Sequence, residues 1–305
     1  MKFANYIFIL SAIIFSSCSQ EKEKNLSDNK IISLVSYYEE FINTAKDLDR
    51  KGKDSCWRKI WELIFIRHFT KCENTEWFSY DPKDTAYYSE GLKDLSKMIS
   101  LVKQNDSIIK FRIEKALANC YKHLPYGGIH VYVNPSAMDE KSSKRMGGIM
   151  GFTPGSKDIL IYIDPSIKNW ENQLEMAIAH EFNHTYWIKY NNSSYNYTLL
   201  DFMVCEGKAE AFSHLVYPKT INNWDTALTA QQKKDLCTEA KTKLKNTDQY
   251  FQEEFMFGGK KYPYWTGYIL GRELVEAALK KNPTTEPKNW TNFSPEYILK
   301  ASGYK

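Results

Sequence analysis

The chain has 305 residues, enough for one large domain or two modest ones. Hydrophobic residues at 43%, charged residues at 26% and aromatics at 15%, led by 21 tyrosines, argue for a packed globular protein and against a disordered one. A formal charge of +4, with acids and bases interspersed, leaves no nucleic-acid footprint.

In chain order, Lys2 precedes the apolar run Tyr6 to Phe15 and then Ser16-Ser17-Cys18-Ser19. The run is too short to span a bilayer and reads as a signal peptide over residues 1–18. The small residues before Cys18 resemble a bacterial lipobox, in which cleavage leaves the cysteine as a lipid-carrying N-terminus. Phe15 departs from the more usual Leu there, and a plain secretory signal is the alternative. Residues 19–30 are polar and read as a flexible tether. The expected location is therefore the bacterial cell envelope, lipid-anchored outside the cytoplasm, at the outer membrane or cell surface. Five further cysteines, odd in number and without a repeating spacing, argue against a disulfide framework and a cysteine zinc site. One bridge, for instance Cys56 with Cys72, stays open.

Residues 31–125 read as a helical N-terminal region. Ile31, Leu34, Val35, Tyr38, Phe41, Ile42, Ala45 and Leu48 recur at steps of three and four. Further helices are expected at Cys56 to Phe69, Asp84 to Gln104 and Ser107 to His123. His68, on an apolar face, and His123, at a helix end, read as structural. Residues 126–305 form the second region. Ile129 to Val133 alternates like a strand and Asn134-Pro135 stops it; a polar loop covers Asp139 to Arg145. Two strands, Gly147 to Phe152 and Asp158 to Ile163, flank a turn at Thr153-Pro154-Gly155-Ser156. A small mixed or antiparallel sheet thus precedes a helix at Asn169 to Lys189, and a polar loop follows at Tyr190 to Tyr197. Later helices are expected over Leu199 to Tyr217, Ala230 to Phe257 and Tyr264 to Lys280, with a short one after Ser294-Pro295. Gly267 and Gly271, one turn apart, allow another element to approach closely.

Within the Asn169 to Lys189 helix lies Ala179-His180-Glu181-Phe182-Asn183-His184, an HExxH sequence. Helical positions four apart share a face, so His180 and His184 would aim two imidazoles at one point, a spacing that suits zinc. Glu181, about 100° round the helix, is then placed to handle a water at that metal. Glu206 and Glu210 lie one turn apart on the apolar stripe of the next helix, where a carboxylate needs a cation to offset lost solvation. The simplest arrangement gives Glu206 to the metal as third ligand and lets Glu210 accept the N–H of a ligating histidine. The competing arrangement pairs both acids with Lys208 or Arg272. Gly207 would let this helix pack against the metal helix. The long HExxHxxGxxH pattern is absent, because Trp187 and Tyr190 stand at its glycine and third histidine.

The segments AHEFNH (Ala179 to His184), LLDFMVCEGKAE (Leu199 to Glu210) and GYILG (Gly267 to Gly271) together resemble a bacterial family of predicted zinc-dependent proteases, the domain of unknown function 2268. The resemblance runs from about Gly128 to Lys280. It implies one zinc ion on His180, His184 and Glu206, with Glu181 catalytic. The implied fold class is α+β, mainly helical and zincin-like, with a small sheet ahead of the HExxH helix. The expected reaction is peptide-bond hydrolysis with Glu181 as general base and a peptide or protein as substrate. Tyr268, with Tyr264 and His214 as alternatives, is a candidate to hold the developing oxyanion. The rival reading is a non-catalytic surface lipoprotein, a binding or assembly module on the same fold.

Overall fold

The computed structural model describes residues 28–72, 92–136, 138–191 and 197–304. The expected signal peptide, Cys18, the tether as far as residue 27, the start of the Asp84 to Gln104 helix and residues 192–196 of the polar loop lie outside the described residues.

The fold is mainly helical with one small mixed sheet, as the sequence predicts. In chain order the elements are β1 (Lys30–Ser33), α1 (Val35–Ala45), α2 (Arg50–His68), α3 (Leu92–Gln104), α4 (Asp106–Tyr121), β2 (His130–Pro135), α5 (Glu140–Arg145), β3 (Ile149–Gly155) and β4 (Asp158–Ile163). They continue with α6 (Trp170–Tyr190), α7 (Leu199–Val216), α8 (Ala230–Lys241), α9 (Gln249–Phe257), α10 (Thr266–Lys281), α11 (Pro287–Trp290) and α12 (Pro295–Ser302). The sheet runs in the order β1-β2-β4-β3. β1, β2 and β4 are parallel, and β3 returns antiparallel to β4 along one edge.

Several local readings change. The helical segment expected over Ala230 to Phe257 is two helices, α8 and α9, with Asp248 capping the second through Phe251 N. Lys30 to Ser33 is a strand, where the helical pattern was expected to begin and the tether to end. Ile31 and Ile32 pair in parallel register with Val131 and Tyr132, and a hydrogen bond from Leu34 N to Val133 O (2.9 Å) extends the ladder. Two apolar residues ahead of a long stripe cannot display a period of two, so only pairing with β2 reveals the strand. Glu140–Arg145 is a short helix inside the expected loop. Asp139 caps it by accepting from Lys141 N and Ser142 N, each at 3.0 Å, and only Ser143 is buried, so its polar composition hid it. The hairpin turn falls at Ser156-Lys157, because β3 carries a register irregularity between Phe152 and Gly155.

One apolar cluster runs from Leu34 through the sheet residues Val131, Ile159 and Ile161 to Leu174, Ile178 and Phe182 of α6, and on to Trp290. α6 therefore lies against β3, β4 and α4, with its remaining side against α7. Glu175, buried one turn ahead of the HExxH run, ties α6 to α4 through Arg112 (2.6 Å) and Lys115 (2.9 Å). Among the described residues, the cysteines at 56, 72, 120, 205 and 237 form no disulfide.

Gly207 does not face α6 as expected. It faces α10, where an added Cβ would overlap the carbonyl of Gly271, and a Cβ on Gly271 would overlap the carbonyl oxygen of Met203. The two glycines bring the backbones of α7 and α10 into contact. Gly271→Val should cost about 1–3 kcal/mol of stability by urea denaturation, since the overlap involves backbone that cannot move aside. A change under about 0.5 kcal/mol, typical of neutral surface positions, would show that the helices do not need this approach.

Candidate metal centre

α6 and α7 present the site from opposite sides. α7 starts at a capping box, with the Thr198 side chain accepting from Asp201 N while the Asp201 carboxylate accepts from Thr198 N. From that start, Glu206 and Glu210 fall one turn apart on the face toward α6. His180 and His184 answer them with rings 4.8 Å apart and tilted by 73°.

Three donor atoms converge. His180 Nε2 lies 3.1 Å from Glu206 Oε2 and 3.1 Å from His184 Nε2, which itself lies 3.4 Å from Glu206 Oε2. Among the described residues this is the one group of His, Cys, Asp and Glu side chains placed to hold a metal. Zinc bonds of about 2.0–2.1 Å in a tetrahedron put ligand atoms roughly 3.3 Å apart, so the donor set fits zinc in both chemistry and spacing. Both Nε2 atoms meet a carboxylate oxygen at one point, an arrangement a cation or extra protons must hold together.

The outer nitrogens of the imidazoles are also engaged. His180 Nδ1 lies 2.9 Å from Glu210 Oε1, whose other oxygen accepts from Asn222 Nδ2 (3.0 Å) and Trp224 Nε1 (3.2 Å). His184 Nδ1 lies 3.8 Å from the Cys205 sulfur. The Glu210 contact is the one expected from sequence; Asn222, Trp224 and Cys205 were not foreseen. The competing pairing of the acids does not occur. Lys208 donates to the carbonyls of Thr291 and Phe293, and Arg272 pairs with Asp225.

Electrostatics follow from this crowding. Burial alone would lower the His180 pKa, but hydrogen bonds to Glu206 and Glu210 outweigh it and raise it to about 10. His184 is also raised well above its usual value against burial, by the charge of Glu206 and by Cys205. Glu206 is held well below the carboxylate range, since the two imidazoliums overcome the upward push of burial.

Glu181 is buried beside this cluster, and its Oε2 accepts from the Thr153 hydroxyl at 2.6 Å. Room for the carboxylate comes from Gly151 on β3, where a Cβ would sit 2.6 Å from Glu181 Oε1. Neither Thr153 nor Gly151 was foreseen. Tyr268 stacks on His180 with centroids 6.1 Å apart and 18° between the planes. Burial first, and then Glu206, Glu181 and Glu210, push its phenol far above the usual value, so it stays a neutral donor within hydrogen-bonding reach of Glu206.

The other candidates fall elsewhere. Both ring nitrogens of His214 are occupied, Nδ1 by the Glu210 carbonyl at 2.9 Å and Nε2 by Asp225 (3.1 Å) and Arg272 (2.8 Å). Tyr264 stands half exposed at the cavity, with the Arg145 guanidinium 3.8 Å above its ring. His68 packs on Tyr37 and Tyr132, and His123 on Phe212. A cavity of about 390 Å³ opens onto His180, Glu181 and Tyr268.

A family model described as a predicted Zn-dependent protease (DUF2268) matches residues 109–300. No curated protein and no solved structure matches the chain.

The cluster sets a pH dependence for the metal-free protein. His180 has a folded pKa of about 10 against 6.5 ordinarily, so its stabilisation is complete below pH 6.5 and is lost as pH rises through about 10. Glu206 has the opposite sign: its contribution is present above about pH 4.5 and lost as the solution is acidified. In the presence of a chelator the thermal midpoint should fall between about pH 6.5 and 10. With zinc supplied, the metal takes the place of the protons and the midpoint should hold over that range. Thermal scans in matched buffers test this; a chelated protein whose midpoint is flat from pH 6.5 to 10 would contradict it.

Proposed function

The chain belongs to the DUF2268 family of predicted Zn-dependent proteases, and from that membership and the His180, His184 and Glu206 cluster we propose that it is a zinc metallopeptidase. The observation that carries the reading is the convergence of three donors at 3.1–3.4 Å with a buried carboxylate, Glu181, alongside. Zinc bound by His180 Nε2, His184 Nε2 and Glu206 supplies Lewis acidity, polarising the amide carbonyl and lowering the pKa of water toward about 7.

The remaining chemistry belongs to side chains of the protein. Glu181 takes a proton from the attacking water as the new C–O bond forms, then gives it to the amine nitrogen as the C–N bond breaks. Thr153 fixes the carboxylate for both transfers through its 2.6 Å hydrogen bond. Tyr268, kept neutral, donates to the carbonyl oxygen as negative charge builds there. Glu210 holds His180 by Nδ1, which leaves Nε2 free for the metal. β3 ends the sheet on the cavity side, and its outer edge suits an extended peptide added as a further strand. Lipidation at Cys18 would tether this activity to a membrane surface outside the cytoplasm.

Glu181→Gln should retain one zinc per chain and lose at least about 100-fold in hydrolysis of a mixed peptide library. His180→Ala and Glu206→Ala should lose the zinc itself. Metal analysis of protein purified without added zinc, run beside the library assay, reads both. A wild-type protein that binds zinc and cleaves nothing would favour the non-catalytic binding module.

A further inference from the structure

The wall of the cavity beside the metal site carries four methionines and two tryptophans among its polar residues. Met138 and Met146 flank α5, Met150 lies on β3 and Met176 on α6; Trp224 and Trp265 close the side toward α10. Three charged residues of the wall have partners: Glu181 and Glu210 beside the metal site and Asp139 at the start of α5. Arg145 lies over the ring of Tyr264. The Trp224 N–H is given to Glu210, so the side chain offers the cavity its ring.

The wall is also held stiffly. Trp265 has φ +66°, a left-handed conformation that is strained for a bulky residue. Its ring is clamped by Trp224 (5.1 Å) and Tyr268 (5.2 Å), which keeps it in place. Strain maintained at a cavity wall is a usual mark of a binding surface shaped before its ligand arrives. A volume of about 390 Å³ is at the small end of ligand sites, which run roughly 300–1,000 Å³. That suffices for one large side chain and the backbone beside it.

We propose that this cavity is the specificity pocket, taking one bulky apolar side chain, aromatic or long aliphatic, next to the bond to be cut, with Trp224 as its main determinant. The proposal rests on the peptidase reading for the words "to be cut"; the pocket's preference stands or falls separately. Methionine walls adapt to shape, so they select a class of side chain rather than a single residue. A charged side chain would lose its water on entering the pocket. Trp224 also touches both functions, since the residue whose ring lines the pocket is the one whose N–H steadies Glu210 behind His180.

The test uses amidated pentapeptides that differ only in the central residue, with binding to the Glu181→Gln protein read by tryptophan fluorescence and calorimetry. Phe, Leu or Met at the centre should bind on the order of 10- to 100-fold more tightly than Ala, Asp or Lys. Trp224→Ala should shrink that ratio to about threefold. Met150→Glu, a change on the half-exposed edge strand, should shrink it as well and guards against misfolding of the first variant. Equal binding of the Phe and Ala peptides, no detectable binding of the Phe peptide, or a Phe preference that survives both variants overturns the proposal. Wild type that cleaves Ala and Phe peptides equally would sink the pocket and keep the peptidase. Selective binding without cleavage by wild type would do the reverse.

Discussion

Two imidazole nitrogens and a carboxylate oxygen, each about 3 Å from the others, cannot share a buried point without positive charge between them. Most of the surrounding architecture can be understood as the means of enforcing that crowding. α6 is locked to α4 through the buried Glu175 and to the sheet through Leu174, Ile178 and Phe182, so its free face has nowhere to turn but α7. α7 is fixed in register by its capping box and pressed from behind by α10, where two glycines remove the side chains that would keep the backbones apart. The donors meet because the helices that carry them are each overdetermined elsewhere.

The layer outside the donors is asymmetric. His180 is backed by a carboxylate that is itself held by an amide and an indole from the segment after α7. Among the described residues, His184 is backed by the Cys205 sulfur, a weaker acceptor at a longer distance. His180 is therefore the more firmly aimed ligand, and His184 the one with latitude. The segment that steadies Glu210 is anchored in turn by Asp225, which is pinned by His214 and Arg272. His214, which the sequence offered as an alternative holder of the oxyanion, stands in the footing of that support.

What could be read in advance divides along physical lines. His180, Glu181, His184, Glu206 and Glu210 lie on two helices, where a period of 3.6 converts sequence spacing directly into a shared face, and a carboxylate on an apolar stripe announces its need for a cation. The roles of Thr153, Gly151, Asn222 and Trp224 depend on which strand or loop arrives beside the helices, and no local period encodes that. β1 was hidden for the same reason: its identity comes from β2, a hundred residues away. Gly207 shows the limit within a helix, since its smallness was legible but the partner that required it, α10 rather than α6, was not.

The position of Thr153 has a consequence for tolerance to motion. The residue that holds Glu181 lies on β3, the strand proposed to take a peptide along its outer edge, and Gly151 two residues away makes the room that Glu181 occupies. The base itself stands on α6 with the metal donors, so the Thr153 hydrogen bond is a joint between the sheet and the helices. A shift of the sheet against α6 would reach the carboxylate through that joint, and the packing of β3 and β4 on α6 is what sets its alignment.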